Sequence, residues 1–168
     1  RRGERAGSAE HWSETAPPLN ALGALYLSEG RTRLAERYFR RALDQDAGHV
    51  PAMHNLGLCS SRKRDLPAAI GWFRKALAID PGYAAARLSL AETLARTDHW
   101  PDAIAEYRQL LKSRENYAAA HRDLALLLVR HKDYADALAE MQVVAGMRAA
   151  PPEAAAEAAQ LRATLHHH

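Results

Sequence analysis

The stretch Val50–Tyr83, VPAMHNLGLCSSRKRDLPAAIGWFRKALAIDPGY, holds two helical patterns separated by a polar turn. In the second pattern, apolar residues recur three and four positions apart, which places them on one face of a helix. They are Ala69, Ile70, Phe73, Ala76, Leu77 and Ile79. Asp80-Pro81-Gly82 ends this pattern, because proline cannot continue a helix and glycine tolerates the turn. The stretch therefore predicts a unit of two helices joined by a turn.

The same pattern recurs along the chain at a fixed interval, the one that separates Gly23 from Gly57, and we call this interval the repeat step. Equivalent positions form four columns, two in the first helices and two in the second helices. The columns are Leu22, Leu56, Leu90 and Leu124; Gly23, Gly57, Ala91 and Ala125; Ala35, Ala69, Ala103 and Ala137; and Phe39, Phe73, Tyr107 and Met141. Four columns at one step are improbable by chance, so we predict four units, at 16–49, 50–83, 84–117 and 118–151.

The stretch resembles a tetratricopeptide repeat, because Leu56-Gly57, Ala69, Phe73, Ala76 and Pro81 stand where that family's signature places them. The repeat step also matches the family's period of about 34 residues. The resemblance implies an all-α fold, a right-handed solenoid of antiparallel helix pairs. A single helix pair cannot bury its second face, so neighbouring units must stack for stability.

The small side chains of two columns predict a close crossing of the two helices in each unit. A glycine inside a helix costs about 1 kcal/mol relative to alanine, so Gly23 and Gly57 need a compensating contact. We expect the alanine column of the second helix to face the glycine column. The aromatic column would then fill the wider space towards the next unit.

The ends of the chain lie outside the four predicted units. We interpret 1–15 as a tail, in which Trp12 either packs on the first unit or docks on another chain. The first helix is predicted to begin at about Leu19. Residues 152–165 contain strong helix formers with a thin apolar stripe, which predicts a capping helix with a polar outer face. His166–His168 are interpreted as the remainder of a purification tag.

Composition excludes several classes of protein. A hydrophobic fraction of 48% excludes a disordered chain, and no apolar run approaches the ~18 residues of a membrane-spanning helix. A net charge of +3 without interleaved aromatic residues argues against nucleic acid as a partner. One cysteine excludes an internal disulfide. Abundant arginine and alanine hint at a bacterial source.

The chain begins at Arg1 rather than Met, so we expect it to have been cut from a longer protein. The compartment, cytoplasmic or periplasmic, is left open.

The sequence contains no motif of a metalloprotease, phosphate loop, thiol redox pair or serine hydrolase. We therefore expect no enzymatic activity and no cofactor. Cys59 lies inside a first helix where small residues pack, so it is interpreted as a core residue rather than a nucleophile. His54 and His121 belong to different units and make a poor metal site, so no metal is expected.

In the family that this chain resembles, the first helices line a concave groove that binds an extended peptide or a partner helix. The resemblance carries the groove positions onto this chain unit by unit. They are Asn20, Ala24 and Leu27; His54, Asn55, Leu58 and Arg62; Leu88, Ser89, Glu92 and Arg96; and Arg122, Asp123, Leu126 and Arg130.

The family also uses a clamp of Lys, Asn and Arg side chains to hold the carboxylates of a chain terminus. Only Asn55 matches that clamp, because Ala24, Ala85 and Ser89 stand where it needs the other residues. We therefore predict that binding of this type is absent.

Arg62, Arg96 and Arg130 are separated by one repeat step each and would form a row along the groove. The row is either a basic rail for an acidic segment or a set of cations that oppose the dipoles at the ends of the first helices. A strip of Leu58, Leu88 and Leu126 would suit an amphipathic partner helix.

The most favoured function is a non-catalytic protein–protein interaction scaffold that holds a partner segment in the groove. Two alternatives remain open at this point. The chain could be a regulatory or targeting arm of a larger enzyme, or a self-assembly module that forms homo-oligomers.

Overall fold

The computed structural model describes residues 16–147 and 153–166, and this part of the chain contains nine α-helices and no strand. The helices are α1 (Ala16–Ser28), α2 (Thr32–Gln45), α3 (Val50–Arg62), α4 (Leu66–Ile79), α5 (Ala84–Arg96), α6 (Trp100–Ser113), α7 (Ala118–Arg130), α8 (Tyr134–Gly146) and α9 (Ala154–His166). The predicted tail at 1–15, with Trp12, lies outside the described residues, as do His167 and His168. The all-α solenoid expected from the sequence is confirmed.

The first helices of the four pairs begin one repeat step apart, at Ala16, Val50, Ala84 and Ala118. α1 begins before the expected Leu19, because prolines are accepted in the first turn, where backbone N–H groups have no partner within the helix. Short turns then join each first helix to an antiparallel second helix. The repeated helix pair is therefore the unit from which the array is built.

One backbone conformation recurs in the turn inside each unit. Gly30, Arg64, Asp98 and Lys132 have φ values of 77°, 63°, 59° and 64°, all in the left-handed region. These four positions follow one another at the repeat step, so the geometry of the turn imposes the conformation whatever the residue. Only the first unit meets this requirement with glycine, the residue that adopts it without strain.

The first-helix glycines make room for an aromatic ring of the same unit. A Cβ atom added at Gly23 would lie 2.5 Å from Cε1 of Phe39, and the nearest atoms to one at Gly57 belong to the ring of Phe73. The aromatic ring of the same unit therefore fills the space beside each glycine. The expected approach of the alanine column to these glycines stays a prediction.

The aromatic rings also reach the next unit, as predicted. Phe39 belongs to a buried cluster that includes Ala52 and Leu56 of α3, and Phe73 belongs to one that includes Leu90 of α5. Both rings are fully buried. One side chain per unit thus joins the two helices of a pair to each other and to the following pair.

The first helices lie on the inner side of the curved array. The backbone of α1 approaches that of α3, α3 approaches α5, and α5 approaches α7. The backbones of α2, α4, α6 and α8 lie farther apart, and long side chains bridge the gap where Arg108 of α6 pairs with Asp136 of α8. Helices that are closer together on one side bend a stack towards that side. The surface formed by α1, α3, α5 and α7 is therefore concave, and we call it the inner face.

α9 stands where the first helix of a fifth unit would stand. Its buried Ala154 and Ala158 lie one repeat step beyond the buried Ala120 and Leu124 of α7. α9 packs against α8, but its backbone does not approach α7 as closely as the earlier first helices approach one another. Its exposed side mixes alanine with charged residues rather than being uniformly polar. The exposed residues include Ala155, Ala156, Glu157, Ala159, Gln160 and Arg162.

Candidate functional site

The inner face carries hydrogen bonds between side chains that are 35 residues apart. Asn55 Nδ2 donates to Asn20 Oδ1 at 2.9 Å, and His54 Nε2 lies 3.1 Å from Ser89 Oγ. Each pair joins two neighbouring first helices. A residue on one helix faces the residue of the next first helix that lies one repeat step plus one position later in the chain. Four of the predicted groove residues in the first three units therefore bind one another.

His54 is also enclosed by aromatic rings. Its imidazole centroid lies 5.7 Å from the centroids of Phe73 and of Tyr83. This burial lowers the pKa of His54, because it disfavours the charged imidazolium. The neutral ring bonded to Ser89 is thus part of the packing between α3 and α5.

The row of arginines is partly used within the array. Arg62 Nη1 donates to the backbone carbonyl of Leu27 at 2.5 Å, and Arg96 Nη1 donates to Ser61 Oγ at 3.1 Å. Leu27 and Ser61 are equivalent positions near the end of the preceding first helix. These contacts agree with the interpretation that the arginines satisfy and neutralise helix ends. Arg130 is exposed at the third position of the row.

The surface between α5 and α7 carries two carboxylates with little compensation. Asp123 stands one repeat step and one position beyond Leu88, whose side chain offers it no polar group. Asp123 pairs instead with Arg122, whose Nε lies 3.8 Å from Asp123 Oδ1. Burial raises the pKa of Asp123 more than Arg122 lowers it. Burial and then the charge of Asp123 raise the pKa of Glu92, against a smaller opposing effect of Arg96. The two carboxylates therefore share one part of the inner face, where Arg122 and Arg96 offset part of their charge.

The apolar strip predicted along the groove is exposed at only one end. Leu58 and Leu88 are partly buried against the core, whereas Leu126 is 57% exposed. Leu126 lines an open cleft of about 270 Å³ between α7 and α9. The other lining residues are Ala125, Val129, Met141, Glu157, Gln160 and Leu161.

Burial or hydrogen bonds within the fold occupy the residues that were candidates for reactivity or metal binding. Cys59 is buried, and burial raises the pKa of its thiol to about 11, which leaves it unreactive at neutral pH. His121 pairs with Glu140 and with the carbonyl of Glu115, whereas His54 pairs with Ser89. The described residues contain no group of three or more His, Cys, Asp or Glu side chains that could hold a metal ion.

The α7–α9 cleft was missed by the reasoning from sequence. Glu157 and Leu161 were assigned to a cap, although they stand one repeat step beyond Asp123 and Leu127 and so continue two inner-helix columns. Extending the columns past 151 would have identified α9 as an inner helix. The gap between α7 and α9 carried no signal in the sequence.

Comparison with known families and structures gives one consistent result. Two family models described as Tetratricopeptide repeat match residues 20–84 and 62–121. No curated protein sequence matches. In the part of the chain that the structure describes, no helix is long and apolar enough to cross a membrane.

Three solved structures share the fold at low sequence identity. PilF of Pseudomonas aeruginosa is 21% identical with a TM-score of 0.80, over 90% of this chain and 69% of its own. Cut9, solved in the APC/C hetero-tetramer Cut9-Hcn1, is 21% identical with a TM-score of 0.77, over 88% of this chain and 30% of that chain. MamA is 20% identical with a TM-score of 0.71, over 76% of this chain and 75% of its own.

These identities support the fold and not a shared partner. The two family matches together run from residue 20 to residue 121, across most of the first three predicted units and the start of the fourth. The chain belongs to the tetratricopeptide repeat family, whose fold is generally a non-catalytic interaction module.

Proposed function

We propose that this chain is an interaction scaffold that binds a segment of a partner protein along the inner face of α1, α3, α5 and α7. The observation that carries the proposal is the exposed Leu126 on the concave surface, which also carries the carboxylates of Asp123 and Glu92. Exposed apolar side chains mark surfaces that gain from being covered.

The proposed site contains the groove residues identified from the repeat positions, and its two ends have different roles. Asn20 is bonded to Asn55 and His54 to Ser89, so the polar groups of these four side chains are already paired. A partner would add backbone and apolar contacts there. The second half offers the exposed groups. The proposed set is Asn20, His54, Asn55, Leu58, Arg62, Leu88, Ser89, Glu92, Arg96, Arg122, Leu126 and Arg130.

The contacts favour an amphipathic segment over an acidic one. Arg62 and Arg96 would each have to break a hydrogen bond to the preceding unit before they could bind a partner carboxylate. For Arg62, leaving the partly buried carbonyl of Leu27 without this donor costs about 1–3 kcal/mol, which would offset much of a new ion pair. The contact of Arg96 with Ser61 is exposed, so its loss costs less. Leu126 has no such cost, because its side chain is already exposed.

Site-specific photo-crosslinking tests this proposal. A benzophenone amino acid is placed at Ala24 or Leu126 on the inner face, and at the exposed Arg74 or Gln142 on second helices as matched controls. Each protein is irradiated in a lysate of the source organism and the adducts are compared by mass. We expect one protein adduct from the inner positions and none from the outer positions. The same adducts from Arg74 or Gln142 alone would contradict the proposal.

A further inference from the structure

One side of α1 lacks the neighbour that the later first helices have. α3, α5 and α7 each pack on the second helix of the preceding unit, whereas none of the helices described above precedes α1. On α3, three residues of this side share one buried cluster with Phe39 and Ala42 of α2. They are Ala52, Leu56 and Cys59. The equivalent residues of α1, which we call the end surface, are Pro18, Leu22 and Leu25.

The end surface is exposed although its equivalents in the later units are buried. Leu25 is 54% exposed, whereas the exposed fractions of Cys59, Thr93 and Leu127 are 1%, 3% and 4%. Pro18 is exposed and Leu22 is half-buried, while their equivalents on α3, α5 and α7 are at most 1% exposed. α1 therefore presents the same contact surface as the later first helices, without the helix that covers it in those units.

The small size of the end surface favours an occupant that belongs to the same chain. α1 has 13 residues, so one side of it is only about 20 Å long. Stable interfaces between separate proteins bury about 1,200–2,000 Å² in total, and they must also offset lost translational and rotational freedom. A short segment attached to α1 is held beside it at a roughly millimolar effective concentration, so a single helix side can suffice to bind it.

The segment that directly precedes α1 contains one large apolar side chain. Trp12 is the only such residue in 1–15. The segment does not continue the second-helix columns, because Arg5 stands one repeat step before Phe39. Trp12 is therefore the residue of this segment that can bury the most apolar surface against the end surface.

Trp12 is close enough along the chain to reach this surface. The residues from Trp12 to Ala16, the first residue of α1, span up to about 13 Å when extended. Leu22 and Leu25 lie about 9 Å and about 13 Å from Ala16 along the helix axis. A reversal of the chain just before α1 would therefore bring the indole onto both leucines.

We propose that residues 1–15 fold back along α1 and that the indole of Trp12 covers Leu22 and Leu25. The three arginines and three glutamates of the segment would then supply the polar outer surface that the terminal unit of an array needs for solubility. None of the inner-face residues proposed above belongs to the end surface, so this contact goes beyond the proposed function and does not depend on it.

Photo-crosslinking within the purified chain tests the proposal. A benzophenone amino acid replaces Leu25 or, as a matched control, Leu126, which is 57% exposed at the other end of the array. Cleavage after glutamate separates residues 11–14, which include Trp12, from residues 15–29, which include position 25. We expect the irradiated protein to stay monomeric, with 11–14 linked to position 25 and not to position 126.

The other possible occupants give different products. A link between 11–14 and position 25 that appears only in a species of twice the mass would show that a second copy supplies the segment. The absence of this link, or an equal yield from position 126, would show that the segment does not cover the end surface. Each of these results would overturn the proposal.

Substitutions measure the contact in the unmodified chain. Trp12→Ala should lower the thermal midpoint by about 2–4 °C and raise amide hydrogen exchange in α1 and α2, with no change in α5–α8. After Leu25→Ala the same substitution should lower the midpoint by less than half as much, because its partner is gone. After Leu126→Ala it should keep its full effect. Equal effects of Trp12→Ala in the two backgrounds, or no effect in the wild type, would overturn the proposal.

Discussion

Units three and four have alanine at the position equivalent to Gly57, so the residues differ by a single methyl group. A Cβ atom there would overlap the buried ring of Phe73. We expect Gly57→Ala to lower the free energy of unfolding by about 1–3 kcal/mol, because overpacking outweighs the ~1 kcal/mol gain in helix propensity. Chemical denaturation followed by circular dichroism measures the change.

Gly71 is the matched control for this prediction. It lies in α4, is exposed, and has no heavy atom within 4 Å of an added Cβ. Gly71→Ala should therefore raise the free energy of unfolding by about 0.5–1 kcal/mol through helix propensity alone. If both substitutions stabilise the protein, the contact between the glycine and the ring has been misjudged.

Lys132 occupies the left-handed turn position between α7 and α8, with φ of 64°. Glycine adopts this conformation without the strain of about 1–2 kcal/mol that other residues incur. Lys132→Gly should raise the free energy of unfolding by up to about 1 kcal/mol, since glycine also loses more entropy on folding. The reciprocal change Gly30→Ala should lower it by a similar amount, and two changes of the same sign would refute the argument. Thermal and urea unfolding measure both.

His121 joins the two helices of unit four as Arg87 joins those of unit three. Its Nδ1 lies 2.5 Å from Glu140 Oε2 and its Nε2 lies 2.8 Å from the carbonyl of Glu115. Arg87 likewise donates to the carboxylate of Glu106 and to the carbonyl of Pro81. The guanidinium of Arg87 donates to both of its partners at once, and an arginine at position 121 could do the same.

This equivalence predicts an order of stability among substitutions of His121. His121→Arg should keep both contacts and unfold at or near the wild-type denaturant concentration. His121→Ala should cost about 1–3 kcal/mol, because it leaves a half-buried carboxylate without its donor. An arginine variant as unstable as the alanine variant would show that the contacts of Arg87 do not transfer to unit four.

The contact between α3 and α5 through His54 predicts a dependence on pH. Burial holds the pKa of His54 below its ordinary value of 6.5, so the unfolded chain binds more protons than the folded chain between the two values. The contribution of His54 to the free energy of unfolding is present above pH 6.5. It is lost as the pH falls through the lower pKa that His54 has in the folded protein. His54→Asn places at this position the residue that unit one uses. The difference in stability between wild type and variant should shift in favour of the variant on acidification, and a difference that does not change with pH would contradict this.

The array as a whole is stabilised through contacts between neighbouring units, so damage at one end should stay local. Ala158 of α9 is 7% exposed against the core, whereas the adjacent Ala159 is exposed. Ala158→Asp should detach α9 and raise amide hydrogen exchange in α9 and α8 while α1–α4 keep their protection. Ala159→Asp should change neither, and uniform loss of protection across the chain would refute a local response.

The repeat step made the helix pairs, the turns and most of the core predictable, because local propensity and periodicity agree at every unit. The contacts of individual side chains were harder to predict from the sequence. Small residues in both helices suggested contact between Gly57 and the alanine column, but they did not reveal that the ring of Phe73 lies closest to Gly57. The competing demand of a large ring is not visible in the spacing of residues.

The candidate site was likewise predictable in part. Its position on the first helices was predicted from the family resemblance and stays a proposal. The hydrogen bonds between its side chains could not be predicted. Asn20 meets Asn55 and His54 meets Ser89 one position beyond the repeat step. This offset is set by how far neighbouring helices are displaced along their axes.

The sequence by itself determined that this chain is an array of tetratricopeptide helix pairs, because each unit repeats its turn signals and its apolar columns within one repeat step. Only the tertiary structure decided which inner-face groups are already bonded and which stay open. It placed Arg62 on the carbonyl of Leu27, left Leu126 exposed, and held the backbone of α9 away from α7. These outcomes depend on distances between helices that the packing of whole units sets, and no local pattern encodes them.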